Sequence, residues 1–161
     1  MAVVSRETRN EAGDGSDFAL GDFVPYLLTR ITNRLSKSLV EALKEVGLTP
    51  PYWRVLAVLH DGDRRTLTEL SVYTAIDQST LSRIVDRMEA QTLVTRRVSP
   101  DDARVQEVQI APRGEEKFAE ILPVAMDQYE WAVRNLSEQE IAELRQILRK
   151  ILESIRISPH P

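Results

Sequence analysis

The sequence predicts a mainly α-helical protein that carries one small β wing. Apolar residues recur at helical spacing along most of the 161-residue chain. After Leu93 the period changes, and the segments 94–98 and 105–110 are rich in β-forming residues. Turn-forming residues separate these two segments, namely Ser99, Pro100, Asp101 and Asp102. Two short helices followed directly by such a ribbon predict a winged helix-turn-helix.

The first helix of this unit begins at a capping box, in which Thr66 and Glu69 can satisfy each other's free amides. We predict that it continues to about Ala75. Its inward residues should be Leu67, Leu70 and Val72. A break at Ile76 and Asp77 is short enough to hold two helices in a fixed crossed arrangement.

The second helix has two chemically different faces. Leu81, Ile84, Val85 and Met88 form an apolar stripe, and Asp77 is the predicted N-cap. The opposite face carries short hydroxyls and guanidiniums, namely Ser79, Ser82, Arg83 and Arg87, together with Asp86, and Thr80 lies at its edge. These groups can read base edges in a DNA major groove. Taken alone, an ordinary solvated helix face explains them equally well.

The ribbon adds three arginines close to this helix. Arg96 and Arg97 enter the ribbon, and Arg104 follows its tip. An arginine on a narrow projecting ribbon can enter a minor groove, where the negative potential of DNA is deepest. We therefore predict DNA contacts from Arg96, Arg97 and Arg104.

From about Leu48 to Gly114 the chain resembles the MarR family of bacterial transcription regulators, and the flanking helices extend the resemblance over nearly everything after Asp17. The residues that carry it form four groups: Leu48-Thr49 with Trp53-Arg54-Val55-Leu56; Leu67-Thr68-Glu69-Leu70; Gln78 to Glu89; and Asp102-Ala103-Arg104 with Ala111-Pro112-Arg113-Gly114. The chain departs from the family pattern at Ala103, where an arginine is usual, and at Gln91-Thr92, where the family has a glycine before Leu-Val.

The resemblance implies roles for individual residues. Ser79, Thr80, Ser82 and Arg83 would approach bases, and Arg87 would contact a phosphate. Arg104 would be the minor-groove arginine, with Asp102 as a salt-bridge partner that orients the wing. Carboxylates such as Asp86 are more often anchors for a neighbouring arginine than DNA contacts.

We expect a disordered N-terminal arm at 1–17, a dimerisation helix within 18–47, the winged helix-turn-helix domain at 48–111, further dimerisation helices at 112–157 and a tail at 158–161. Proline at 123 predicts a kink unless a helix restarts there. Ser137 and Glu140 form a second capping box. In the family the terminal helices interleave between two subunits, so we expect a homodimer, although the stripes could pack within one chain. The predicted interface residues are Leu28, Ile31, Leu35, Ile141, Leu144, Leu148, Ile151, Leu152 and Ile155.

Relatives in the family commonly bind a small molecule, often an aromatic acid or a phenolic compound, between the dimer helices and the DNA-reading lobe. Such a ligand would change the spacing of the two recognition helices. The resemblance therefore implies a small-molecule effector. Candidate pocket residues are Tyr26, Arg30, Trp53, His60, Met126 and Trp131, although residues of these types in such positions are more often core, cap or surface residues.

Composition limits the other classes of function. A net charge of −4 neither supports nor excludes DNA binding, because the placement of positive charge matters more than its sum. With no cysteine, disulfides, thiolate metal sites and cysteine-based oxidant sensing are excluded. No apolar run is long enough for a signal peptide or a membrane span, so we expect a cytoplasmic protein without a membrane partner.

Two competing classes remain. A winged helix can be a protein-interaction module that never touches DNA. An enzyme is the second alternative, but the sequence contains no phosphate-binding glycine loop, no His-Glu metal spacing and no nucleophile elbow. We therefore expect neither catalysis nor a cofactor or metal.

Overall fold

The computed structural model describes residues 18–100, 102 and 104–156. The predicted arm at 1–17 and the tail at 158–161 lie outside the described residues. The chain divides into a unit that ends at Ser36 and a unit that begins at Lys37.

The N-terminal unit contains a short 3-10 helix, Leu20–Asp22, and the first part of helix α1, Val24–Glu45. Pro25 is the second residue of α1, where its missing amide costs no helical hydrogen bond. The hydroxyls of Thr29 and Thr32 donate to carbonyls four residues earlier. Their polar groups are thereby satisfied within the helix.

Helix α1 ends at Glu45, two residues before Gly47. Gly47 has a φ of 75°, and the amides of Gly47 and Leu48 donate to the carbonyls of Lys44 and Leu43 at 3.1 and 2.8 Å. This pair of bonds is a Schellman motif, which requires a left-handed residue after the helix. Glycine supplies that conformation without steric cost.

Helix α2, Pro50–Gly62, begins at Thr49, whose hydroxyl accepts from the Tyr52 amide. Strand β1, Arg64–Thr66, follows, and then helix α3, Leu67–Thr74. The capping box of Thr66 and Glu69 is present at the start of α3. The prediction that Val72 points inward was wrong, since Val72 is 52% exposed. The inward face of this short helix belongs to Leu70 and Thr74, which are four residues apart, whereas Val72 lies on the other side.

Helix α4, Gln78–Ala90, is the second helix of the helix-turn-helix, and strands β2, Val94–Val98, and β3, Gln106–Ile110, form the wing. The sheet has the order β1-β3-β2, and both pairings are antiparallel. The predicted N-cap is present, because a carboxylate oxygen of Asp77 accepts from the Thr80 amide at 2.9 Å. Mainly α with a small β wing is therefore confirmed as the fold class.

Two long helices complete the chain, α5, Pro112–Val133, and α6, Glu138–Arg156. Helix α5 continues through Pro123 as one element. The predicted capping box begins α6, since the Ser137 amide donates to Glu140 at 2.8 Å and the Glu140 amide donates to the Ser137 hydroxyl at 3.3 Å. Over the described part of the chain, no helix combines the length and apolarity needed to cross a membrane.

The hydrophobic core lies where α2, α3 and α4 meet the sheet and the first half of α5. Two backbone segments approach closely at Gly114, because a Cβ there would lie 2.1 Å from the Leu93 carbonyl oxygen. The core fixes α4 and the wing to one rigid base. Its fully buried side chains include Leu43, Val55, Leu56, Leu59, Leu70, Leu81, Val85, Met88 and Val108.

Candidate nucleic-acid interface

Helix α4 presents one free face to solvent. Leu81, Val85 and Met88 are completely buried beneath it. On the opposite side Ser79, Thr80, Arg83 and Arg87 are exposed, and Ser82 is half-buried. A helix with a buried stripe on one side and hydroxyls and guanidiniums on the other can enter a major groove without losing core contacts.

The N-terminus of α4 is held in place by Asp77. One of its carboxylate oxygens accepts from the Ser79 hydroxyl at 2.7 Å and from the Thr80 amide at 2.9 Å. These bonds, chiefly that from Ser79, lower the pKa of Asp77 from 3.8 to about 2. Because the Ser79 proton is donated locally, the Ser79 hydroxyl can offer only its lone pairs to a base.

The turn between α3 and α4 is fixed by side chains that the sequence patterns did not single out. Arg54 of α2 donates to the Thr74 carbonyl at 3.1 Å, and the Ser71 hydroxyl donates to the Ile76 carbonyl at 2.7 Å. Ala75 between them has a positive φ of 53°. Arg54 places its charge at the C-terminus of α3, where the helix dipole favours a cation. Arg54 and Thr74 are twenty residues apart in sequence, so no local pattern could have revealed their hydrogen bond.

Gln78, the first residue of α4, carries part of the family resemblance but was not among the predicted DNA contacts. Its side-chain amide donates to the Thr68 hydroxyl at 3.4 Å, and both residues are exposed. A glutamine amide carries both a donor and an acceptor, which suits an adenine edge. Its position in the first turn of the second helix of a helix-turn-helix was the available signal.

Arg104 follows the tip of the wing and is far more exposed than Arg96. The Arg104 side chain is 91% exposed. Asp102 accepts from the Arg104 amide at 2.9 Å and from its Nε at 3.3 Å. The carboxylate thus orients the arginine, and no other described residue accepts from its guanidinium.

Arg96 and Arg97 point to opposite faces of β2, because consecutive residues of a strand alternate. Arg97 is exposed on the outer face, together with Thr95. Arg96 lies against α4, where Asp86 and Glu89 accept from its guanidinium at 2.6 and 2.9 Å. The structure therefore gives Arg96 surroundings that differ from the predicted DNA contact.

The candidate pocket residues fall into separate groups. In the N-terminal unit the Arg30 guanidinium lies over the Tyr26 ring at 5.6 Å. Trp53 and His60 of α2 both stack on Phe118 of α5, at ring-centroid distances of 5.0 and 4.1 Å. Met126 and Trp131 are exposed on α5. This stack packs α2 against α5. A 2.9 Å contact between His60 Nδ1 and the Glu115 carboxylate joins the same two helices.

The predicted interface residues keep much of their apolar surface in the single chain. Leu28 and Ile31 in the N-terminal unit are exposed, and Leu35 is half-buried. Of the predicted residues of α6, Leu144, Leu152 and Ile155 are between 40% and 64% exposed; Ile147, which was not predicted, is 55% exposed. The other predicted residues of α6 are half-buried, namely Ile141, Leu148 and Ile151.

The chain is similar to known proteins over most of its length. A MarR family transcriptional regulator from Silicibacter pomeroyi DSS, whose crystal structure is known, is 34% identical, with a TM-score of 0.78, over 84% of this chain and 90% of that one. A sequence model of the MarR family matches residues 46–105. The chain belongs to the MarR family. This membership makes the protein a winged helix-turn-helix transcription regulator.

Two other members give the similarity more detail. The HTH-type transcriptional repressor IacR from Pseudomonas putida is 28% identical over 139 residues, which cover 86% of this chain and 83% of IacR. A mutant MarR from E. coli, solved in complex with operator DNA, is 23% identical, with a TM-score of 0.68 over 84% of this chain and 99% of that one. At that identity the second similarity shows a shared fold.

Proposed function

We propose that this MarR-family regulator binds double-stranded operator DNA as a homodimer, represses transcription from it and releases it when a small molecule binds. One observation carries the proposal: a single rigid lobe exposes Ser79, Arg83 and Arg87 on α4 beside Arg104 on the wing. The repressor role is supported by the similarity to IacR, and DNA binding by the fold shared with the MarR–operator complex.

The geometry supports different DNA contacts for different members of this set of residues. Ser79, Thr80, Ser82 and Arg83 lie towards the N-terminal half of α4, which meets base edges in helix-turn-helix proteins. Arg87 lies one turn later and is assigned to a phosphate. Arg97 and Arg104 on the wing are assigned to the adjacent minor groove and its phosphates. Affinity then comes mostly from phosphate contacts, and specificity from the face around Arg83.

We assign the homodimer interface to the terminal helices. The α6 residues Leu144, Leu148, Ile151, Leu152 and Ile155 follow a spacing close to heptads, and several stay largely exposed in one chain. A second copy would cover them. A two-fold dimer then matches an inverted-repeat operator with half-sites about one helical turn apart.

We assign effector binding to the cleft that such a dimer would create, and an aromatic acid or a phenolic compound is the expected class. Met126 and Trp131 are the candidate residues whose side chains are most available for it. Trp53 and His60 are engaged with Phe118 and would act as a wall rather than as free ligands. The expected location is the cytoplasm, and the proposal includes no catalytic step.

The test is binding to the DNA upstream of the protein's own gene and to a scrambled duplex of equal length, each titrated at several salt concentrations. Operator binding should be roughly a thousandfold tighter or more, and salt should weaken it steeply. Equal binding to both duplexes calls for selection of sites from random DNA. No binding to any DNA at low salt would favour the alternative, a winged-helix protein-interaction module.

Variants then separate the assigned roles. Arg83→Ala should reduce the preference for operator over scrambled DNA and cost about 1 to 3 kcal/mol, whereas Arg87→Ala should weaken both duplexes alike. Arg134→Ala is the matched control, because Arg134 lies beyond α5 with its guanidinium 4.7 Å from the Trp131 ring. Equal losses on the two duplexes for both arginine variants would contradict the assignment of Arg83 to bases.

A further inference from the structure

Arg96 joins the wing to the recognition helix through three hydrogen bonds. Its Nη2 donates to Asp86 at 2.6 Å and its Nη1 donates to Glu89 at 2.9 Å. The backbone amide of Arg96 donates to the other Glu89 oxygen at 3.2 Å. One arginine of β2 therefore binds two carboxylates that lie one helical turn apart on α4.

These contacts leave Arg96 poorly suited to bind phosphate. Its side chain is only 20% exposed, and the two carboxylates give the cluster a net negative charge. A phosphate approaching the cluster would meet the partly exposed Asp86 and Glu89 as well as the guanidinium. Arg97, the next residue along β2, is exposed on the outer face instead.

The cluster also covers an exposed edge of the sheet. Strand β2 is at the edge, since the order is β1-β3-β2. Glu89 accepts both the backbone amide and the side chain of Arg96, so a single carboxylate fixes the strand and the guanidinium together. An edge strand held in this way cannot rotate against α4 without breaking a charged hydrogen bond.

We propose that Arg96 is a positioning residue for DNA binding, which sets the angle between α4 and the wing so that both reach their grooves together. This inference rests on the proposed function. Arg96 is the middle residue of β2, and Arg97 and Val98 continue the strand from it towards the wing tip. A rotation of the strand at Arg96 therefore displaces the wing tip, and Arg104 with it.

The experiment compares three variants in the full-length protein: Arg96→Gln, the double variant Asp86→Asn/Glu89→Gln, and all three changes together. If Arg96 acts through the carboxylates, each should weaken operator binding by about tenfold, and the triple variant should be no worse than the others. If Arg96 instead contacts DNA, the double variant should bind operator more tightly, because it frees the arginine and removes two negative charges. That result would overturn the proposal.

The dependence of affinity on salt provides a second readout. Arg97→Gln is the matched control, because it removes an arginine from the same strand on the outer face. It should reduce the salt slope by about one in the wild-type background, but adding it to Arg96→Gln should reduce the slope no further, because the displaced wing has already lost that contact. A slope that falls by a further unit when Arg97→Gln is added would show that the wing still binds DNA without Arg96 and would overturn the positioning role.

Footprints separate positioning from a general loss of folding. In Arg96→Gln, DNA protection should be lost in the minor groove under the wing and kept in the major groove under α4. Adding Arg104→Ala to this variant should weaken operator binding only a little further. Uniform loss of protection with a lowered thermal midpoint would overturn the proposal in favour of a purely structural role. Wild-type protein that binds no DNA would instead refute the proposed function, whereas specific wild-type binding with an unaffected Arg96→Gln refutes only this inference.

Discussion

The winged lobe and helix α6 are both rich in aliphatic residues, yet they place them in opposite environments. The winged lobe consists of α2, α3, α4, the three-stranded sheet and the first half of α5. In the lobe Leu56 and Leu81 are completely buried, whereas Leu152 and Ile155 of α6 are 61% and 64% exposed. The lobe therefore satisfies its apolar surface within one chain. Helix α6 leaves a stripe that a second molecule can cover. The lobe should respond to mutation as a packed core does, and α6 as an interface does.

The largest expected effect tests the packing of the lobe. A Cβ on Gly114 would lie 2.1 Å from the Leu93 carbonyl oxygen and 2.9 Å from the Ile110 side chain. Because the nearest atom is backbone, Gly114→Ala must move α5 away from β2, and we expect it to lower the free energy of unfolding by about 3 kcal/mol or more. Urea denaturation at fixed pH measures this loss.

Gly21→Ala is the matched control for that substitution. A Cβ on Gly21 would meet nothing within 4 Å, and its backbone has no positive φ. This variant should unfold at the wild-type urea concentration. A Gly114→Ala protein as stable as the wild type would show that the lobe is packed less tightly than the structure indicates.

The next effect tests the exposed stripe. If a second copy covers α6, Leu152→Ala removes the same contact twice from a symmetric dimer. At about 1.5 kcal/mol for each leucine, the dimer dissociation constant should rise roughly a hundredfold. Sedimentation over a dilution series measures it, and Gln146→Ala on the other side of α6 is the control. An unchanged dissociation constant would place the interface elsewhere.

This contrast also explains which features could be predicted from sequence. The capping boxes at Thr66 and Ser137 and the cap at Asp77 are local patterns, and the structure contains all three. The burial of the α4 stripe follows from helical spacing in the same way. Local patterns therefore predict where elements begin and which face of a regular helix is buried.

Such local patterns could not predict contacts between elements that are distant in sequence. Arg54 binds the Thr74 carbonyl twenty residues away, and Arg96 binds Asp86 ten residues away. Strand alternation alone predicts that Arg96 and Arg97 lie on opposite faces of β2. It does not predict which of the two faces contacts α4. The prediction that Val72 points inward was wrong for a related reason, because a helix of eight residues has too few turns to define its inward side.

A third, smaller effect tests the backbone of the lobe. Among the described residues, the three non-glycine residues with positive φ, Asp63, Ala75 and Thr92, all lie in the lobe. Thr92 follows α4 in a Schellman motif, in which the Thr92 and Leu93 amides donate to the Glu89 and Met88 carbonyls, both at 2.9 Å. The corresponding residue after α1 is Gly47.

A β-branched residue at a φ of 58° is strained, so Thr92→Gly should raise the free energy of unfolding by about 1 kcal/mol. The reverse change at the other helix end, Gly47→Ala, should lower it by a similar amount, about 1 kcal/mol. Denaturant midpoints with an unchanged slope measure both. A destabilised Thr92→Gly protein would mean that the threonine side chain contributes more than its strain costs.

The smallest effect concerns pH at the two helix N-termini, one in the lobe and one outside it. Hydrogen bonds from Ser79 and Thr80 lower the pKa of Asp77 to about 2, and those from the Ser137 amide and hydroxyl lower the pKa of Glu140. A carboxylate with a lowered pKa in the folded state stabilises the fold fully above its ordinary value, which for Asp77 is 3.8. That contribution disappears as the pH falls towards 2.

Asp77→Asn keeps an acceptor at the cap but cannot titrate, so its thermal midpoint should fall less than that of the wild type between pH 5 and about 2. Glu140→Gln should produce the same flattening through α6. Parallel curves for Asp77→Asn and wild type would show that the Asp77 cap contributes nothing through its charge, and that the start of the recognition helix is fixed by the packed lobe alone.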